Sequence, residues 1–325
     1  MVLPPHSPPP GKSGITSSNA GAPPGSGGKT ARPPLASAVA KTLSSIQANS
    51  TPQAREFEFT NTDFERICKL IHAHAGIALS PAKQDMVYSR LARRLRACGD
   101  HTFAQYLARL ERDKKEWETF VNSLTTNLTS FFREAHHFEI LAEQLKRITE
   151  KRPIKIWCCA ASTGEEPYSL AITACEAFAS MNPPVQITAS DIDTMVLAQG
   201  QAGQYRKDRV DRMPPSYLGR YFTRGATDPD IYTVRPELKR LITFQRINLL
   251  GPAWSVQGPL DAIFCRNVMI YFDKPTQYGI LKRFVPLLRP EGQLYAGHSE
   301  SFMHAADLLR SRGRTVYVRL DAPPR

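Results

Sequence analysis

The sequence has no run of about 18 or more apolar residues, the length a helix needs to cross a bilayer, and no apolar N-terminal segment of the secretory type. A cytoplasmic protein without membrane insertion is therefore expected. Its six cysteines, Cys68, Cys98, Cys158, Cys159, Cys175 and Cys265, show no CxxC spacing. That speaks against a zinc site or a disulfide framework and for small buried thiols in a reducing compartment. From Met1 to about Arg55 there is no acidic residue and almost no aromatic or large aliphatic cluster, only Pro, Gly, Ser and Ala with scattered Lys and Arg. Such a stretch cannot bury enough apolar surface to fold, so residues 1–55 are expected to form a disordered basic tail.

Beyond the tail, the composition is ordinary: 42% hydrophobic and 22% charged over 325 residues, enough for two compact domains. A formal net charge of +12 calls for an acidic partner, which could be nucleic acid, anionic lipid or an acidic protein surface. Residues 56–134 carry apolar side chains at helical spacing (Phe64, Ile67, Leu70, Ile71; Met86, Val87, Leu91, Leu95) and read as a helical domain. Asn61 or Thr62, followed by Glu65, is expected to cap its first helix. The helix from Pro81 to Cys98 holds Lys83, Arg90, Arg93, Arg94 and Arg96 against Asp85 alone. It reads either as a solvated face or as a docking face for an acidic helix, since arginines can meet carboxylates bidentately.

Over residues 135–325 the pattern changes to alternating strands and helices. Ile154–Cys159, Val185–Ser190, Leu260–Cys265, Gln293–Ala296 and Thr315–Arg319 read as strands, and Pro167–Ala179 and Pro275–Leu288 as helices. Buried strands separated by amphipathic helices imply a doubly wound, Rossmann-like α/β domain. Tyr221–Thr223, Ile231–Val234 and Ile242–Arg246 follow one another without helical spacers and predict a small antiparallel insertion at about 215–247.

In such sheets ligands sit beyond the carboxyl ends of the strands. After the first strand comes AASTGEEPYS, which is neither a GxGxxG fingerprint nor a P-loop. Glu165 and Glu166 at a helix start would repel a phosphate and suit a ligand of cationic character, though acids there also simply complement the helix dipole. Asp191, in SDID, stands where nucleotide-binding α/β domains place the carboxylate that binds ribose hydroxyls; it could equally be a helix cap. Arg266 and Asn267 suggest the floor of a site, with Tyr271 ending the following turn.

Together the motifs TTNLTSFFRE, ASTGEEPYSLAI, SDID, NLL, FCRNVMIYFD and GHSE, in this order and spacing, closely resemble the chemotaxis receptor methyltransferases of the CheR family, from about Phe57 onward. The resemblance implies an all-α N-terminal domain and an S-adenosylmethionine-dependent class I methyltransferase domain with a small β-subdomain. It implies that Asn127, Thr129, Arg133, Glu166, Asp191, Asn248, Leu249, Arg266 and Asn267 contact the cofactor, with Glu166 favoured over Glu165, and that Arg133 and Tyr271 lie nearest the transferred methyl group. The implied reaction forms glutamate methyl esters on the cytoplasmic helical region of chemotaxis receptors and releases S-adenosylhomocysteine. The partner would be that receptor, met by a monomer through the basic helix. A nucleic-acid methyltransferase would suit the charge, but no NPPY-like motif or RNA-binding signature is present. Intact Arg133 and Tyr271 argue against a non-catalytic sensor of S-adenosylmethionine.

Overall fold

The computed structural model describes residues 55–323. Apart from Arg55, the tail expected over residues 1–55 lies outside the described residues. The first helix, α1 (Asn61–Ala75), starts at a capping box: Asp63 N donates to Thr60 Oγ1 (3.1 Å) and Thr60 N donates to Asp63 Oδ2 (3.0 Å). The cap is thus Thr60 rather than Asn61 or Thr62, because Thr60 has extended backbone and Asp63, three residues on, returns a bond to its amide. Three more helices follow: α2 (Gln84–Cys98), α3 (Phe103–Leu110) and α4 (Lys114–Leu124). Ile67 and Ile71 of α1, Val87, Leu91 and Leu95 of α2, Tyr106 of α3 and Phe120 of α4 are buried together, the apolar stripe that a period of 3.6 residues produces.

Much of the basic face expected on α2 is used internally. Arg90 donates to the carbonyls of Ser123 (3.2 Å) and Thr125 (2.6 Å), Arg94 binds the buried Glu116 through two nitrogens, and Arg96 pairs with Glu56. Arg93 is exposed, and Lys83 belongs to the short 3-10 turn Pro81–Lys83 before α2.

The remaining chain builds a seven-stranded sheet. Its strands are β1 (Ile154–Cys158), β2 (Val185–Asp191), β6 (Ile242–Arg246), β7 (Leu260–Cys265), β8 (Leu288–Ala296), β9 (Leu309–Ser311) and β10 (Val316–Arg319), in the order β6-β2-β1-β7-β8-β10-β9. The first five in that order are parallel, whereas β10 runs antiparallel to both β8 and β9, so the sheet is mixed. Successive residues of β1 feed two cores: Ile156 and Cys158 join the cluster containing Leu141 and Leu170, Trp157 the one containing Leu281 and Phe284. Those residues belong to α5 (His136–Arg147), α6 (Glu165–Ala177) and a helix over Lys274–Phe284, which cover the two faces.

A separate three-stranded antiparallel sheet joins β3 (Gln204–Arg206), β5 (Ile231–Val234) and β4 (Phe222–Arg224). Two expectations are corrected here. Ile242–Arg246 is not in the small sheet; it pairs in parallel with β2 from Ile187↔Ile242 to Asp191↔Arg246. An edge strand of a parallel sheet can carry the same alternation as a hairpin strand, so the pattern did not separate them. The small sheet therefore occupies 204–234 rather than 215–247, and its first strand, polar at Gln204 and Arg206, has no apolar run to announce it. Among the described residues no helix is long and apolar enough to cross a membrane.

Candidate active site

The order of strands reverses between β1 and β7, and a pocket opens at their carboxyl ends, the usual place for a ligand in an open α/β sheet. Its walls come from the end of α1 and the loop after it (Ala75 to Leu79), the strip Thr125–Arg133, the turns after β1, β2 and β6, and the segment after β7. Asn127, Thr129, Arg133, Glu166, Asp191, Asn248, Leu249, Arg266, Asn267 and Tyr271 all line it. Apolar side chains such as Ile77, Met86, Ile192 and Phe272 complete it, giving a mainly apolar cleft with a few convergent polar groups.

The two adjacent acids after β1 part company. Glu165 is fully buried away from the pocket, where it binds Arg209 and accepts from the Thr163 hydroxyl (2.6 Å). Glu166 faces the pocket, accepts from Cys158 Sγ (3.2 Å) and is held by Arg266 Nη1 at 2.7 Å. Asp191 ends β2 and accepts backbone N–H groups of Ser162 (2.9 Å) and Asp193 (3.1 Å). Burial pushes its carboxyl up to about 6, against those hydrogen bonds, which pull it down.

Arg266 is spent inside the wall. Its side chain has no solvent exposure and meets Glu166, Glu134 (3.3 Å) and the Arg133 carbonyl. Glu134 also accepts from His298 Nδ1 (3.0 Å) and Asn267 Nδ2 (3.4 Å). Burial pushes Glu134 up, but His298 and Arg266 outweigh it and hold the carboxyl at about 2. Arg266 therefore fixes two carboxylates and a backbone turn in the pocket wall.

Tyr271 stands at the end of the 3-10 turn Met269–Tyr271, its hydroxyl 3.4 Å from the Thr126 carbonyl and its ring 5.8 Å from the Lys83 ammonium. Burial raises its phenol, partly opposed by the positive charge of Arg133. Arg133 donates to the Leu128 carbonyl (2.8 Å), curling the strip that carries Asn127 and Thr129. Asn248 donates to the His74 carbonyl (2.6 Å) and accepts from Leu250 N (2.9 Å), so its amide joins α1 to the loop bearing Leu249.

Sequence reasoning gave no role to three residues that shape this site. Glu300 is buried and accepts from the amides of Asn267 (3.0 Å), Met269 (2.8 Å) and Gly297 (2.5 Å), which builds the turn presenting Tyr271. Gly297 is needed beside it, since a Cβ there would fall 2.3 Å from Asn267 Nδ2. Glu134 is the third. The motifs contained all three, but Glu134 and, apart from its bond to Gly297, Glu300 find their partners in distant segments. Phe132, Glu134, Ser162 and Asn267 have positive φ (51°, 56°, 47° and 59°), a concentration of unfavourable backbone of the kind found at functional sites.

Residues 127–318 match the family model described as CheR methyltransferase, SAM binding domain, and residues 62–125 match CheR methyltransferase, all-alpha domain. The chain is 53% identical over 266 residues to chemotaxis protein methyltransferase 2 of Pseudomonas aeruginosa, covering 81% of this chain and 95% of that one. It is 52% identical to the chemotaxis protein methyltransferase of Klebsiella aerogenes, over 81% of this chain and 91% of the relative, and 49% identical to that of Escherichia coli, over 80% and 91%.

Proposed function

The chain belongs to the CheR methyltransferase family, is an S-adenosylmethionine-dependent methyltransferase of chemotaxis, and, we propose, esterifies glutamate side chains on the cytoplasmic helical region of chemotaxis receptors. The observation that carries the proposal is the pocket at the β1/β7 switch point, lined by every residue the motifs assign to cofactor and methyl transfer. It acts in the cytoplasm, and since one chain supplies that whole lining, action as a monomer suffices.

The donor set suits S-adenosylmethionine. Asp191, a buried carboxylate at the end of β2, is placed to accept from ribose hydroxyls, and the acidic first turn of α6 offers no phosphate cradle. Glu166 and the Asn127–Thr129 strip are assigned to the amino acid end, and Leu249 with Ile192 and Phe272 to the apolar remainder. When bound, the cofactor supplies an electrophilic methyl group on a sulfonium.

A glutamate side chain, with an ordinary pKa of about 4.3, is already anionic at neutral pH and needs no general base. The protein's task is then to align it and to exclude water, and fixed geometry of this kind is worth up to roughly 7–11 kcal/mol in the best cases. Arg133 and Tyr271, both in the pocket lining, are assigned to orienting the carboxylate against the methyl group. Of the basic helix, Lys83 and Arg93 are the members most available to an acidic receptor helix, because Arg90, Arg94 and Arg96 hold internal partners.

The test is incubation of the purified chain with methyl-tritiated S-adenosylmethionine and receptor-containing membranes. Label on the receptor band, released as volatile methanol by mild base, is expected. Base-stable label would move the acceptor to nitrogen or another atom and overturn the glutamate assignment.

A further inference from the structure

We propose that Asp193 is a positioning residue for the cofactor: its one carboxylate joins the two pocket walls that carry Asn127 and Asp191. The inference rests on the reading above, in which those two residues contact the cofactor. Asp193 follows β2 and is buried, with 2% of its surface exposed. Its Oδ1 caps the helix α7 (Thr194–Ala202), accepting from Met195 N (2.9 Å) and Val196 N (3.3 Å). A capping aspartate would ordinarily end its work there.

Its other oxygen does something a cap does not require. Oδ2 accepts from the Thr125 hydroxyl at 2.8 Å and from Asn127 Nδ2 at 2.9 Å, groups 68 and 66 residues earlier in the chain. Its backbone N–H donates to Asp191 Oδ1 at 3.1 Å. The Asn127 carbonyl in turn accepts from Ser162 Oγ (3.2 Å), whose own amide donates to Asp191 Oδ2 (2.9 Å). Asn127, Asp193, Asp191 and Ser162 thus close a ring of hydrogen bonds behind the lining. The strip 125–129 lies in no helix or strand, and Leu128 within it is 78% exposed, so little apolar packing fixes it there. The buried Asp193 carboxylate therefore holds the Asn127 side chain, together with the bond from Asn127 Nδ2 to Thr125 Oγ1 (3.2 Å), while Ser162 and Arg133 hold the backbone of the strip.

Serine caps a helix as well as aspartate but is too short to reach Thr125 and Asn127 at once. Asp193→Ser therefore separates the two tasks. Asp193→Asn keeps an oxygen for the cap and turns an N–H₂ group toward Asn127 Nδ2, donor against donor. Calorimetric titration with S-adenosylhomocysteine should show both variants binding more weakly, on the order of ten- to a hundredfold, the range for loss of charge-assisted hydrogen bonds. The melting temperature of Asp193→Ser, which keeps the cap and sets no donor against a donor, should stay within a few degrees of that of the unaltered chain, and kcat at saturating cofactor should fall far less than affinity in both variants. Thr125→Val should give a smaller loss that vanishes on the Asp193→Ser background, since the bond it removes is already gone.

Asp193→Ser binding S-adenosylhomocysteine like the unaltered chain would overturn the proposal. So would a loss of affinity that tracks a fall in melting temperature and adds to that of Thr125→Val, the behaviour of a purely structural residue. Asn127→Ala and Asp191→Asn are titrated alongside. If they weaken binding and Asp193→Ser does not, the inference fails and the contact reading stands; if neither weakens it, both fail.

Discussion

Replacing Arg266 with leucine tests how the pocket wall is held. The guanidinium lies within a side chain of zero exposure, 2.7 Å from Glu166 and 3.3 Å from Glu134, with the Arg133 carbonyl as its third partner. Removing one member of a buried ion pair costs about 3–5 kcal/mol, because the partner stays behind uncompensated. Here both carboxylates keep slight solvent access, 12% and 11%, which favours the lower end, about 3 kcal/mol. At about 2–4 °C per kcal/mol for a fold of this size, thermal unfolding should shift down by roughly 6–12 °C at neutral pH. The loss should shrink in acid. Glu134, held at about 2, contributes stability that is present above its ordinary pKa and fades as pH falls toward 2, so there is less for the substitution to remove. Circular dichroism melts at pH 7 and pH 4 measure both effects. A shift under about 2 °C at pH 7, or one that grows in acid, would refute the clamp.

Three further outcomes follow from the same geometry. Tyr271→Phe should lower kcat more than cofactor affinity, read from receptor methylation and calorimetry, because Tyr271 lines the pocket and, among the described residues, its hydroxyl makes one bond, to the Thr126 carbonyl, long at 3.4 Å. Affinity for S-adenosylhomocysteine should fall as pH drops through about 6, where Asp191 takes up a proton and loses acceptor capacity, and Asp191→Asn should flatten that dependence. Charge reversal separates two neighbours on α2: Arg93→Glu should raise KM for receptor membranes and leave melting unchanged. Arg94→Glu should destabilise the helical domain, since Arg94 pairs with a Glu116 that also accepts from buried Tyr106 (2.8 Å).

Strand Leu260–Cys265 was readable to the residue, because Leu260 and the apolar run Ala262–Cys265, interrupted only by Asp261, fit a strand covered on both faces. Strand β8 was half read: Arg289, Pro290, Glu291 and Gly292 resemble a turn, yet the strand runs through them with an irregular register opposite Leu260 and Ala262. The edge strand Ile242–Arg246 was found and assigned to the wrong sheet. Position along the chain told where the site would be, since the residues after each parallel strand must face the pocket. What each residue does there was less accessible. Arg266, which the motifs offer as a cofactor contact, also clamps Glu166 and Glu134; Asp193 and Glu300 look like a helix cap and a loop acid and also bind groups 31 to 68 residues away. Such partnerships depend on the folded arrangement of distant segments, which no local pattern encodes.

Mass spectrometry of receptor peptides, after the receptor has been incubated with this chain and S-adenosylmethionine, tests the central claim most directly. One added methyl group is expected on glutamate side chains of the helical cytoplasmic region, lost on mild alkaline treatment and absent with the Arg133→Ala variant. Methyl groups confined to lysine, arginine or backbone positions, or none on any glutamate, would contradict it.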